Sequence, residues 1–144
     1  MAEAIFNSLA KLPLQAKSAG SHPSGVISPE ALATLRRHGL SDQGYRSKGV
    51  NEFNNYPIDV VITLCDDSVG ESCPVFMGKT IKSHWGISDP TLFDGTREEI
   101  MSEFDRTFHD LKNRIELFLK LPFDQLDQEE VQKQLLKIGL IKYS

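Results

Sequence analysis

Apolar side chains recur at helical spacing in several stretches of this chain and crowd into one short β-branched run between them. Ala4, Ile5, Leu9 and Leu12 predict a first helix over residues 2 to 12, although no residue ahead of it can act as an N-cap. Leu14 to Gly20 alternates like a short strand. Ser28 followed by Pro29 is a helix start, and Gly39 after Arg36, Arg37 and His38 is the matching stop. After a polar stretch from Ser41 to Asn55, Ile58-Asp59-Val60-Val61-Ile62-Thr63-Leu64 reads as a strand buried on both faces of a parallel sheet. A shorter strand is expected around Ser83 to Ile87. Thr96 with Glu99 forms a capping-box pattern. The stripe Ile100, Phe104, Phe108, Leu111, Ile115, Phe118 then carries a long helix up to Pro122. A last helix is expected from Asp127 to Ile138, closed by Gly139.

Strands alternating with helices predict an α/β fold of three layers, an open and mostly parallel sheet with helices on both faces. The length, 144 residues with 40% apolar and 25% charged, suits one domain spanning residues 1 to 144. A net charge of -4 with scattered Lys and Arg argues against a nucleic-acid partner. No apolar run approaches the ~20 residues of a membrane helix, and the opening residues do not read as a signal peptide. The chain is therefore expected in the cytoplasm, with no membrane partner, where Cys65 and Cys73 rest as thiols and any bond between them is transient.

The chemistry is concentrated after the best strand. Cys65-Asp66-Asp67-Ser68-Val69-Gly70-Glu71-Ser72-Cys73-Pro74 forms a loop where α/β sheets place their sites, at the carboxyl end of a strand. Taken from the residues alone, the two cysteines are unrelated buried thiols, a redox pair, or zinc ligands together with His84. Asp89 before Pro90 is either an ordinary turn starter or a positioned carboxyl. Arg46 and Lys48 read as solvated loop residues, and His84 and Trp85 as packing at the end of a strand.

Several segments in order resemble the low-molecular-weight phosphotyrosine-phosphatase superfamily and, within it, the arsenate reductases. MAEAIF is similar to the helix that follows the family's phosphate loop. Ser18-Ala19-Gly20 resembles the end of its second strand, and Gly44-Tyr45-Arg46-Ser47-Lys48 a Gly-x-Arg-Ser-Lys stretch. The specific parts are Asp59 to Asp66 with Cys73-Pro74, similar to the reductases' strand and cysteine loop, and His84-Trp85-Gly86-Ile87-Ser88-Asp89-Pro90, similar to the turn that supplies the general acid.

The resemblance implies that Cys65 is the second and Cys73 the third thiol of a relay that reduces arsenate, with Asp89 as proton donor. It further implies no resident cofactor, and an external thiol reductant, thioredoxin or glutaredoxin, as partner. The alternatives are a tyrosine phosphatase and a non-catalytic thiol protein that binds arsenite or a partner. Against the family pattern, the sequence contains no Cys-x5-Arg: the sixth residue after Cys65 is Glu71 and after Cys73 is Lys79. Met1 thus resembles an internal methionine of the family, with the first central strand and the phosphate loop expected ahead of it. A chain without them is expected to fold poorly, or to self-associate through an open sheet edge.

Overall fold

The computed structural model describes residues 1–20, 22–65 and 80–142. Along them the chain forms helix α1 (Ala2–Leu9), helix α2 (Pro29–Arg37), strand β1 (Val60–Thr63), strand β2 (Ile81–His84), helix α3 (Arg97–Leu119) and helix α4 (Gln128–Leu140). The strands run parallel with Val60 opposite Ile81 and Thr63 opposite His84. The expected α/β class and open parallel sheet are both present.

Local chemistry sets the helix ends. Ser28 Oγ accepts from the Ala31 amide with Pro29 in the first turn, and Gly39 closes α2 at φ +77°, a left-handed conformation that suits glycine. Thr96 Oγ1 accepts from the Glu99 amide while Glu99 reaches back to the Thr96 amide, so α3 starts on a full capping box. The same reciprocal pair, Asp127 with Glu130, starts α4. Helix α1 opens on Met1 with no side-chain cap, as expected.

The core collects Ala4 and Ile5 of α1, Leu35 of α2, Trp85 beyond β2, the α3 stripe from Phe108 to Phe118, and Val131, Leu135 and Ile138 of α4. Alternation along the strands decides which side chains join it. Val60, Ile62, Leu64, Ile81 and Ile87 pack against that core, whereas the intervening Val61, Thr63, Lys82 and His84 point to the opposite face. Two further ties hold the layers. Arg37 and His38, at the end of α2, both reach Asp105 Oδ1 of α3, at 2.8 and 3.0 Å, and the His38 ring stacks on Phe108. Burial opposes the charge on Asp105, but the hydrogen bonds from Arg37 and His38 outweigh it and hold the carboxyl below its usual range. Arg114, 4% exposed, pairs with Asp110 and donates to the carbonyls of Gly139 and Ile141, satisfying the end of α4.

Three expectations need correction. Leu14 to Gly20 is not a strand: its one ladder contact is the parallel bridge of Gly20 with Gly49, and Ala16 pairs instead with the side-chain amide of Asn7 at 2.8 and 3.0 Å. Alternation alone makes no strand where no neighbour lies within hydrogen-bonding reach. β1 is half-buried throughout rather than buried on both faces, because β2 is its sole strand partner among the described residues. The backbone groups of Val60 and Ile62 that face away from β2 carry no ladder among the described residues. The outer edge of β2, by contrast, is covered by Gln132, whose side-chain amide accepts from the Lys82 N–H at 3.1 Å and donates to the Lys82 carbonyl.

The third correction concerns Gly139, which lies inside α4 rather than ending it. A Cβ there would stand 2.8 Å from the His84 carbonyl oxygen and 2.8 Å from Trp85 Cδ1, so the glycine permits close approach of helix to strand. In an open helix Gly to Ala gains about 1 kcal/mol. Here Gly139→Ala is expected to lose about 1–3 kcal/mol through overpacking, read as a lower urea midpoint.

Candidate active site

The two strands deliver their chemistry to one end. Beyond the ladder, the Trp85 amide donates to the Thr63 carbonyl at 2.8 Å and the Ile87 amide to the Leu64 carbonyl at 3.3 Å. These bonds hold the exits of β1 and β2 side by side. The first residue out of this zipped pair on β1 is Cys65, a free and half-buried thiol. The first turn out of β2 begins at Asp89, so both residues leave the carboxyl edge of the sheet, where the sequence placed them. Cys73 and the rest of 66–79 lie outside the described residues.

Asp89 caps the short turn Pro90–Leu92. Its Oδ1 accepts from the Thr91 amide at 2.9 Å and from Thr91 Oγ1 at 2.7 Å. The turn-starter reading is thus realised for one oxygen, while Oδ2 makes no hydrogen bond with the described residues. A carboxyl anchored by one oxygen with the other open has the geometry of a proton donor held in place, and its rigidity comes from the Pro90 ring and the Thr91 contacts.

The basic residues are committed elsewhere. Arg46 forms a two-pronged pair with Glu52 at 2.8 and 2.6 Å and remains exposed. Both partners are exposed, so the pair contributes little to stability. Lys48 departs from its expected solvated state: its side chain is 9% exposed and its Nζ lies 3.5 Å from Glu3 Oε2, the oxygen that also accepts from Ser18 Oγ at 2.5 Å. Among the described residues no group of three or more His, Cys, Asp and Glu is placed to hold a metal ion.

His84 and Trp85 separate onto opposite faces. Trp85 is 2% exposed and its Nε1 donates to the Leu135 carbonyl at 3.0 Å, which matches the packing role expected for it. His84 instead joins the site face, with Nδ1 2.7 Å from Thr63 Oγ1 across the ladder. The signal was present in the sequence, since adjacent residues of a strand cannot both enter one core.

A family profile, Low molecular weight phosphotyrosine protein phosphatase, matches residues 1–135. The chain belongs to this family. Within reach of it are proteins named arsenate reductase: one from Staphylococcus epidermidis, arsenate reductase 1, is 34% identical over 101 residues, 70% of this chain and 70% of the relative. One from Bacillus licheniformis is 32% identical over 101 residues, 70% of this chain and 71% of the relative. The crystal structure of arsenate reductase from Archaeoglobus fulgidus superposes with a TM-score of 0.59 at 27% identity, covering 80% of this chain and 87% of that one. The family resemblance and the relatives named arsenate reductase mark the chain as an enzyme by family. Among the described residues no helix is long and apolar enough to cross a membrane.

Proposed function

We propose that this chain carries the thiol relay of an arsenate reductase, with Cys65 and Cys73 as its exchanging sulfurs and Asp89 as the proton donor. The observation that supports this most directly is the emergence of Cys65 and Asp89 from the same end of the zipped strand pair, in a chain whose similar relatives are named for arsenate reduction.

In the relay, a thiolate already bonded to arsenic is attacked at sulfur by the Cys65 thiolate. The new S–S bond forms as the S–As bond breaks, and the electron pair stays with arsenic, which leaves as arsenite. Asp89 supplies a proton to a departing oxygen. The Cys73 thiolate then attacks Cys65, leaving a Cys65–Cys73 disulfide and releasing the first thiol. A dithiol protein, thioredoxin or glutaredoxin, reduces that disulfide in turn. The exchange demands that the two cysteines close to a Cα separation of about 4.4–6.8 Å. The tyrosine-phosphatase alternative needs neither cysteine, and the pair weighs against it. A cytoplasmic setting fits the need for a reducing thiol pool.

The assignment is tested on the purified chain without arsenate. Mild oxidation is expected to remove both thiols with no change in mass on non-reducing electrophoresis, and thioredoxin with its reductase and NADPH to restore them. Cys65→Ser is expected to block the intramolecular bond. A chain that keeps both thiols, or forms only intermolecular disulfides, would overturn the relay.

A further inference from the structure

Helix α4 lies beside β2 and runs in the same direction. Gln132, near the start of the helix, brackets the peptide groups of Lys82, while the Leu135 carbonyl and Gly139 meet Trp85 and His84 at the far end of the strand. The last turn of α4 therefore emerges at the carboxyl edge of the sheet, the edge that carries Cys65 and Asp89. His84 stands one ladder step, about 4.8 Å, from Thr63, two residues before Cys65. The core takes only one side of these turns: Leu135 is 0% and Ile138 6% exposed, but Leu136 is 53%, Leu140 72% and Ile141 37% exposed. Leu136 and Leu140, four apart, share the outer face. Arg114 fixes this platform by donating to the carbonyls of Gly139 and Ile141. Beyond Glu130 the chain carries Lys133, Lys137 and Lys142 and no acidic residue, against a net charge of -4 for the whole. Lys133 is paired with Glu129 at 3.4 Å, whereas no ion pair engages Lys137 or Lys142 among the described residues.

We propose that Leu136, Leu140 and Ile141, rimmed by Lys137 and Lys142, dock the dithiol protein that reduces the Cys65–Cys73 disulfide, and that this partner is apolar and acidic around its own cysteines. This rests on the relay reading and deepens it by giving the reductant a seat. In that step a thiolate of the partner bonds to one sulfur of the pair as the other sulfur leaves. The partner's second thiol then displaces the chain, so that two electrons and two protons end on Cys65 and Cys73 and the partner departs as a disulfide. The reacting sulfurs must therefore touch at the carboxyl edge. A specific interface covers about 800 Å² on each side, a disc of roughly 16 Å radius, so a partner centred on the cysteines reaches the end of α4. An apolar centre with a charged rim is the anatomy of such a contact. Basic residues in a last helical turn answer the helix dipole by themselves, but leucines exposed beside them do not. Opposite charge on the partner steers the encounter, and a fixed platform lowers the ordering cost of binding.

The test follows reduction of the oxidised full chain, as second-order rates with an acidic thioredoxin, kept reduced by its reductase and NADPH, and with dithiothreitol, which needs no seat. Leu140→Asp is expected to slow thioredoxin about tenfold and to leave the dithiothreitol rate and the urea midpoint unchanged. Lys137→Glu combined with Lys142→Glu is expected to slow thioredoxin by a similar factor and to abolish the fall in rate that added salt produces with the parent. Lys11→Glu, a charge reversal at an exposed residue just beyond α1, is expected to match the parent. A thioredoxin rate equal to the parent's in either the Leu140 or the double-lysine variant overturns the inference, as does a loss shared with dithiothreitol, which would place the effect on access to the sulfurs. A parent chain that sediments as a dimer and becomes a monomer on Leu140→Asp gives the surface to a second copy and overturns it too. Those results leave the relay standing wherever the parent is reduced. An oxidised parent that thioredoxin does not reduce removes the relay and the docking surface together.

Discussion

No arsenite above the uncatalysed level is expected when the 144-residue chain is given arsenate, thioredoxin, thioredoxin reductase and NADPH. A doubly charged oxyanion is activated by inward-pointing backbone amides and a fixed guanidinium around the attacking thiolate. A Cys-x5-Arg loop brings those groups together, and neither cysteine here begins one, because Glu71 and Lys79 occupy the positions where the arginine belongs. Arg46 does not substitute, since both its terminal nitrogens are engaged by Glu52, and Lys48 lies beside Glu3.

Loss of oxyanion donors alone costs about a hundred- to a thousandfold, and loss of the nucleophile more. Joining a family strand and Cys-x5-Arg loop ahead of Met1 is accordingly expected to raise arsenite formation by at least about a thousandfold over the bare chain, and Cys65→Ser in that longer protein to return it to the blank. Arsenite release by the bare chain would mean that Cys65 or Cys73 attacks arsenate itself.

Replacing Trp85 by alanine is expected to remove about 3–5 kcal/mol of stability, a third or more of what a typical domain possesses. The indole is 2% exposed, contacts the Phe118 ring edge-on at a centroid distance of 6.4 Å and bonds the Leu135 carbonyl at 3.0 Å. It also fills the contact against Gly139. Truncation opens a cavity where β2, α3 and α4 converge and removes the second donor to the Leu135 carbonyl. Trp85→Phe keeps most of the volume but loses the N–H, and is expected to cost about 1–2 kcal/mol. Leu136, 53% exposed on the other side of α4, is the control: Leu136→Ala is expected to change stability by no more than about 0.5 kcal/mol. The measurement is the urea midpoint by far-ultraviolet circular dichroism at unchanged slope. Equal midpoints for Trp85→Ala and Leu136→Ala would remove Trp85 from the centre of the core.

Helices α2 and α3 were legible almost to the residue because their caps are local: Ser28, Thr96 and Glu99 act within one turn of themselves, and a 3.6-residue apolar stripe declares its own face. The strand assignments were less complete. Leu14 to Gly20 carries a period of two and yet has no ladder, and the second strand runs Ile81–His84 rather than starting at Ser83, since a strand is defined by what lies beside it. Gly139 carried the signature of a helix stop and serves instead as a contact surface, a difference that exists only once β2 lies against α4.

The candidate site divides in the same way. The amino-acid order was sufficient to place Cys65 just past a β-branched run and Asp89 before a proline, and to show that no cysteine is followed six residues later by arginine, because these are statements about neighbours along the chain. The parallel register was decided in three dimensions: it sets Thr63 against His84 and turns Trp85 inward. Residues 63 and 84 are remote in the chain, and pairing between such distant segments is selected by burial of the opposite face and by the hydrogen bonds of the ladder, quantities that no local pattern contains.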